Sequence, residues 1–347
     1  MTIPSSQPKP ITSIEEYHRQ KSFDSSLRTS GGFTYKNAQD KRHPFILAVK
    51  HSENFPSYIR QLQDQKMNDP ELYARASPVQ IRDASHVLKD YQNHMMMNDS
   101  DVVLDIGCGT GDVTTRILSP AIGRFELLLG VDKSPEMVQY AKQHYEDDNI
   151  QYDVLDIAGD VTEFREDWGT FSKIFSFYCL HWVKDLRKAL SNVQHLMRPG
   201  GECLLVFVAQ CPIFEMYERM AKMSKWQDYM QDVNVYVPDT QHMTQPSFTF
   251  SQMMEDAGIT SISCSTLHRS FAFTSTKMLT DCMVAVNPFV KQIPFTERKE
   301  FIEDSIKTLA AIKLEKGNTN ENESCCFTYK LLVAHGTKNQ FHEMTSF

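Results

Sequence analysis

Between Asp101 and Ala209, short apolar runs alternate with amphipathic stretches, and this alternation restricts the fold more than any other feature. The apolar runs are DVVLDIG, FELLLGVD, IQYDVLDI, FSKIFSFYCL and ECLLVFVA. Between them lie DVTTRIL, SPEMVQYAKQHY, a polar stretch, and DLRKALSNVQHLM with the turn RPGG. A strand buried on both faces reads as a continuous apolar run, and parallel neighbours need a crossover, usually a helix. Five such strands alternating with helices predict a parallel sheet covered on both faces, hence a doubly wound, Rossmann-like α/β fold. Ser134 is a plausible N-cap for one crossover helix, with Pro135 at its first position and Glu136 in its first turn. Sheets of this kind bind ligands beyond the carboxyl ends of their strands, so residues there are the first candidates for chemistry.

After Gln210 the alternation stops. Residues 212–231, PIFEMYERMAKMSKWQDYMQ, read as one helix rich in methionine and aromatics. ITSISCST and CCFTYKLLVAHG read as two later strands, separated by helical segments near 247–256, 275–286 and 295–314. This predicts helical cap insertions around 211–256 and 275–320, within a domain spanning 67–347. GNTNENES (317–324) reads as a solvated loop. With 347 residues, 41% of them apolar, the chain can bury a large core without disulfide or metal staples.

The net charge is −8, so a phosphate backbone is repelled and nucleic acid is not expected as a main partner. Residues 1–66 differ, with ten Lys/Arg against six Asp/Glu, and this break at Met67 predicts a flexible N-terminal extension. The opening residues MTIPSSQPKPITS hold no apolar secretory core, and no apolar run approaches membrane-spanning length. Eight scattered cysteines form no CxxC pair and no zinc-type spacing, which predicts reduced thiols, no metal site and a cytoplasmic location. The expected assembly is a monomer or a homodimer.

The first strand ends in Asp105-Ile106-Gly107-Cys108-Gly109-Thr110-Gly111-Asp112. Glycines at alternate positions allow a tight turn and a ligand lying against the main chain. Alone, such a turn serves several nucleotides. Here the spacing is G-x-G-x-G, without the GK[ST] of a phosphate loop, and an acid, Asp105, precedes it. That carboxylate repels a pyrophosphate but suits S-adenosylmethionine, which has an ammonium, a sulfonium and no phosphate. The second strand ends at Asp132, placed to accept ribose hydroxyls, and the third at Asp156-Ile157, placed to meet an adenine.

The string DIGCGTGD, followed by GVDKSPEMVQYA, resembles the class I S-adenosylmethionine-dependent methyltransferases. The resemblance implies seven strands with the last antiparallel. It also implies cofactor contacts from Asp105, Gly107, Cys108, Gly109, Asp132, Lys133, Met137, Asp156, Ile157 and Phe177. MNDPELYARASPVQIRDA, SFYCLHWVKDLRKALSNVQHLM, WQDYMQDV and FTYKLLVAHG are similar to a narrower group, the insect juvenile hormone acid methyltransferases. That group implies a small hydrophobic carboxylic acid as partner, of the farnesoic acid type. By similarity to related plant enzymes, Gln80 and Trp182 would hold the carboxylate, with His181 a further candidate and Tyr73 and Tyr178 behind it. The chemistry fits, because a carboxylic acid of pKa about 4–5 is already a nucleophile at neutral pH and needs only orientation. Neutral donors orient it without an ion pair that would stabilise the ground state. Phe214, Met216, Tyr217, Met220, Met223, Trp226 and Met230, joined by Phe289 and Phe295, admit two readings, a buried core face, the commoner role of such a stripe, or the wall of an apolar tunnel over the cofactor crevice. The residues alone also admit methyl transfer to nitrogen or carbon, or a non-catalytic binding module. A dinucleotide oxidoreductase fits least.

Overall fold

The computed structural model describes residues 70–315 and 326–340. The expectations for 1–66 and for 317–324 lie outside the described residues. Two helices come first, α1 (Pro70–Arg75) and α2 (Pro78–Tyr91). The alternating part follows: β1 (Val102–Ile106), a π-helical turn (Thr114–Leu118) running into α3 (Ser119–Ile122), β2 (Leu127–Asp132), α4 (Pro135–Tyr145) and β3 (Ile150–Val154). It continues with α5 (Thr162–Trp168), β4 (Phe171–Phe177), a 3-10 turn (Leu180–Trp182), α6 (Leu186–Leu196) and β5 (Met197–Gln210). The last part is α7 (Pro212–Met220), α8 (Val233–Tyr236), α9 (Pro246–Asp256), β6 (Thr260–Ala272), α10 (Thr276–Val286), α11 (Arg298–Glu315) and β7 (Cys326–Thr337).

The strands form one sheet in the order β3-β2-β1-β4-β5-β7-β6. β1 to β5 run parallel, and β7 inserts antiparallel between β5 and β6, so the expected doubly wound sheet with an antiparallel last strand is present. Leu104 and Ile106 face one core with Ile174, Leu205 and helices α5, α6 and α9. Val103, Phe175 and Val206 face the other, with α2, α4 and the helices that follow β5. Both faces are therefore covered, as parallel strands require. Strand order reverses between β1 and β4, and the crevice at their carboxyl ends is where ligands sit in such sheets.

Local signals account for several elements. The Ser134 side chain accepts from the Met137 N–H at 3.4 Å with Pro135 opening α4, as expected. Asp185 caps α6 in the same way, accepting from the Lys188 N–H at 2.9 Å. One expectation is corrected. The stretch 212–231 is not a single helix, since α7 ends at Met220 and turns follow to a 3-10 turn at Gln227–Tyr229. The apolar residues 214, 217, 220, 223 and 226 recur every third position. On a 3.6-residue helix that spacing rotates off one face by about 60° per step, so no single face could be buried. The chain instead breaks and brings Trp226 and Met230 back into the core. Among the described residues, no helix is long and apolar enough to cross a membrane, and no cluster of His, Cys, Asp and Glu is arranged to hold a metal ion.

Candidate active site

The loop after β1 is built from three glycines in the left-handed region, Gly107, Gly109 and Gly111, with φ of 77°, 55° and 82°. A Cβ on Gly107 would lie 2.2 Å from the Cys179 Cβ, so only glycine fits there. The Gly107 and Cys108 N–H groups donate to the Val131 carbonyl at 2.7 and 3.0 Å, which ties the loop to β2. Asp132, at the end of β2, accepts from the Gly109 N–H at 3.0 Å and the Ser134 N–H at 2.9 Å. Burial raises its pKa, offset in part by those two donors. Each carboxylate oxygen retains lone pairs for a ligand.

Asp105 is 1% exposed and accepts from the Thr114 hydroxyl at 2.6 Å. Burial is the main reason its pKa rises to about 7, with the Thr114 bond opposing and the Asp132 charge assisting. A bound cation would reverse that shift. In the folded, ligand-free chain Asp105 holds a proton that the unfolded chain has lost above about pH 4, so its contribution to stability falls as pH rises from about 4 to 7. Affinity for a cationic ligand accordingly rises with pH through about 7. Asp105→Asn is expected to weaken binding of S-adenosylhomocysteine, which keeps the ammonium, and to flatten the rise between about pH 5 and 7. Calorimetric titrations across that range check this, and an unaltered slope assigns the titration elsewhere.

Two cavities lie at this end of the sheet. The smaller, about 360 Å³ counted out to open solvent, is walled by Asp105, Gly107, Cys108, Thr110, Asp112 and Phe177, among others. The larger, about 840 Å³ counted to its mouth, is walled mostly by apolar side chains, with His181, Trp182, Tyr178 and Tyr329 among its polar ones. Tyr73 and Gln80 belong to both cavities, so the two meet there. Gln80 lies beside Tyr73, whose ring lies over Gly109, 3.4 Å from where a Cβ would stand. α1 and α2 bring these two residues to the carboxyl end of β1, with α1 packed on α10 and α4.

His181 and Trp182 sit on the 3-10 turn after β4, ring centroids 4.8 Å apart. Trp182 also meets Phe214 edge-on at 6.2 Å. His181 is 6% exposed, and its Nδ1 is buried with no hydrogen-bond partner. Burial lowers its pKa to about 3, so the ring is neutral at physiological pH. A buried polar atom without a partner is costly, which points to a ligand that completes it.

The sequence-derived residues are therefore partly assembled. Asp105, Gly107, Cys108 and Phe177 wall the small cavity, and Gln80, His181 and Trp182 wall the large one. Gly109 and Asp132 bond to each other beside them. Lys133 and Asp156 are exposed beyond β2 and β3, Asp156 accepting from the Ala158 N–H at 3.0 Å, while Met137 and Ile157 are buried off the cavity walls. Of the two readings of the Met and aromatic stripe, core holds and tunnel wall does not, Phe214 apart. Of the Met and aromatic stripe only Phe214 reaches the large cavity. Met220 and Trp226 face α11, through Ser305 and Asp304, and Phe289 packs against Tyr217 and Tyr236. Phe295 is 52% exposed. The walls come instead from α10 and the ends of β6 and β7, including Leu279, Met283, Phe271, Phe273 and Phe327. Asp112 was readable within the glycine string but not assigned. It is buried, and accepts from the Thr110 and Tyr145 hydroxyls at 2.8 and 2.9 Å.

This sheet order, with an acid and three glycines at β1 and an acid closing β2, defines a class I S-adenosylmethionine-dependent methyltransferase. A family model described as a methyltransferase domain matches residues 103–201. Juvenile hormone acid O-methyltransferase of Drosophila melanogaster is 33% identical over 276 residues, 78% of this chain and 93% of that protein. The Bombyx mori protein of the same name is 31% identical over 278 residues, 78% of this chain and 98% of that protein. The chain belongs to the juvenile hormone acid O-methyltransferase family.

The small cavity suits the cofactor of this class: a glycine, Gly107, where no side chain fits, a buried acid for the ammonium, and no basic side chain on its walls. S-adenosylmethionine, when bound, supplies an electrophilic methyl on a sulfonium.

Proposed function

We propose that this chain transfers the methyl group to the carboxylate of a hydrophobic acid of the farnesoic or juvenile hormone acid type, giving a methyl ester. The observation that carries this is the meeting of a large apolar cavity with the small polar one at Tyr73 and Gln80. An acyl chain fills the first, and its carboxylate then lies at the junction. In this reading the Gln80 amide, the Trp182 indole N–H and the His181 Nδ1–H orient the anion as neutral donors. Burial keeps His181 uncharged, so no ion pair deepens the ground state. The apolar walls exclude water from the reacting oxygen. Asp105, Gly107, Cys108, Gly109, Asp132 and Phe177 hold the cofactor, with Lys133, Met137, Asp156 and Ile157 completing the adenosine side. The acceptor needs no base. An ammonium acceptor would need one, and His181, at about 3, is a poor base for it.

The names of the two relatives supply the substrate class. The domain reading, 67–347 with helical caps around 211–256 and 275–320 after an extension at 1–66, is kept as part of this proposal, as are a cytoplasmic location and a monomer or homodimer. Incubation with methyl-labelled cofactor and a panel of terpenoid and fatty acids tests the reaction. Labelled methyl ester from terpenoid acids is the expected product, and no ester from any acid overturns the reading.

A further inference from the structure

Behind the large cavity lies a carboxylate that the proposed methyl transfer does not use. Asp83, on α2 one turn after Gln80, is 0% exposed. Its Oδ1 accepts from Arg82 Nε at 3.0 Å and Nη2 at 2.7 Å. Its Oδ2 accepts from the Tyr178 hydroxyl at 2.6 Å and the Tyr329 hydroxyl at 2.5 Å. Arg82 also donates to the Tyr329 oxygen at 2.8 Å and the Ser270 carbonyl at 2.6 Å, and its guanidinium lies 4.8 Å from the Phe271 ring centroid. Tyr178, Tyr329 and Phe271 all wall the large cavity. Tyr178 is the one non-glycine residue with positive φ among the described residues, at 58°. For a bulky residue that is a strained conformation, which persists only where contacts over-determine it.

A buried carboxylate beside a cavity meant for an acid requires an explanation. Arg82 balances its charge, so the pair does not repel an anion as a bare carboxylate would. The tyrosines matter more. A phenol has one proton to donate, and both protons are committed to Asp83. Neither hydroxyl is left to bind a substrate carboxylate. The strong side-chain donors that remain on the cavity wall are Gln80 and Tyr73, at the junction with the small cavity, and the adjacent His181 and Trp182, with only the weak thiol donors Cys211 and Cys282 besides.

We infer that Asp83 is a positioning residue that sets the direction in which the acid binds, by withholding the Tyr178 and Tyr329 hydroxyls from its carboxylate. This rests on the carboxyl methylation proposed above. The acid head then finds donors only where methyl transfer can occur, and the wrong-way complex, head against the tyrosines, has none.

Asp83→Asn tests this, because it keeps the shape and reverses the polarity of one atom. The amide oxygen faces Arg82, and the amide nitrogen replaces Oδ2 and donates to the phenol oxygens. Because the two phenols lie within reach of each other, at least one hydroxyl proton is then released toward the cavity. Wrong-way binding competes with productive binding, so kcat and KM for the acid fall together by about tenfold with kcat/KM within about twofold. Cofactor affinity stays unchanged. Adding Tyr178→Phe and Tyr329→Phe to Asp83→Asn removes the released donors and restores kcat and KM toward the parent values. If Asp83→Asn does not fold, Arg82→Gln/Asp83→Asn carries the same prediction, since it removes the ion pair whole and leaves no lone buried charge. A raised KM, unchanged constants, or no recovery in the tyrosine variants overturns the inference. Absence of ester from the unaltered enzyme would instead overturn the carboxyl reading itself, so the two failures are separable.

Discussion

Trp182→Phe is expected to lower kcat/KM for an acid about 100-fold, the cost of removing one well-placed donor, with cofactor affinity unchanged. The substitution keeps an aromatic ring against His181 and Phe214 and removes the indole N–H together with the five-membered ring that carries it. Trp182 walls the large cavity and not the small one, so the effect should fall on the acid. Steady-state kinetics with calorimetric titration of S-adenosylhomocysteine separates the two. Unchanged turnover removes Trp182 from the carboxylate clamp, and weakened cofactor binding moves it to the other cavity.

Gly107→Ala should cost most in stability. A methyl group there meets the Cys179 Cβ at 2.2 Å and Sγ at 2.4 Å, on a backbone with φ of 77°. Cys179 cannot give way easily, since it follows Tyr178, whose left-handed backbone is pinned through Asp83. The left-handed conformation costs about 1–2 kcal/mol for a residue with a Cβ, and overpacking adds about 1–3 kcal/mol. At about 2–4 °C per kcal/mol for a domain of this size, Tm should fall on the order of 10 °C, with loss of cofactor binding. Gly123→Ala separates the two causes. Its φ is also 77°, but nothing lies within 4 Å of the added Cβ. Its ψ of −121° lies outside the left-handed helical well, so it should lose only a conformational part, about 1–3 kcal/mol, and keep cofactor binding. Cofactor binding retained in Gly107→Ala would show that the Cys179 contact is soft.

Much of the cofactor half was legible before the fold was known. β1, β2 and β4 are apolar runs because their residues are buried on both faces, and the acids and glycines sit where those runs stop. The Ser134 cap and Pro135 mark the start of α4 within one turn. β6 was read too short, as ITSISCST. It extends to Ala272 because β7 offers a matching ladder as far as Cys326. Its second half, TLHRSFA, shows no apolar run because an edge strand leaves half its side chains near solvent. The tunnel walls are not legible for a different reason. A stripe of methionine and aromatics says that a segment will be buried, but not against which neighbour.

The sequence by itself determined the doubly wound sheet, the glycine turn and the acids at the ends of β1 and β2. Each of these is a local pattern, written in one strand and the few residues after it. Only the tertiary structure decided the acid side. Asp83 meets Tyr329 across 246 positions, and it does so because β7 returns antiparallel into the sheet beside β5. Cavity walls, the pinned Tyr178 and the withheld hydroxyls all follow from that return. Periodicity within a chain records which face is buried. Which buried faces meet is set by the packing of elements far apart in sequence.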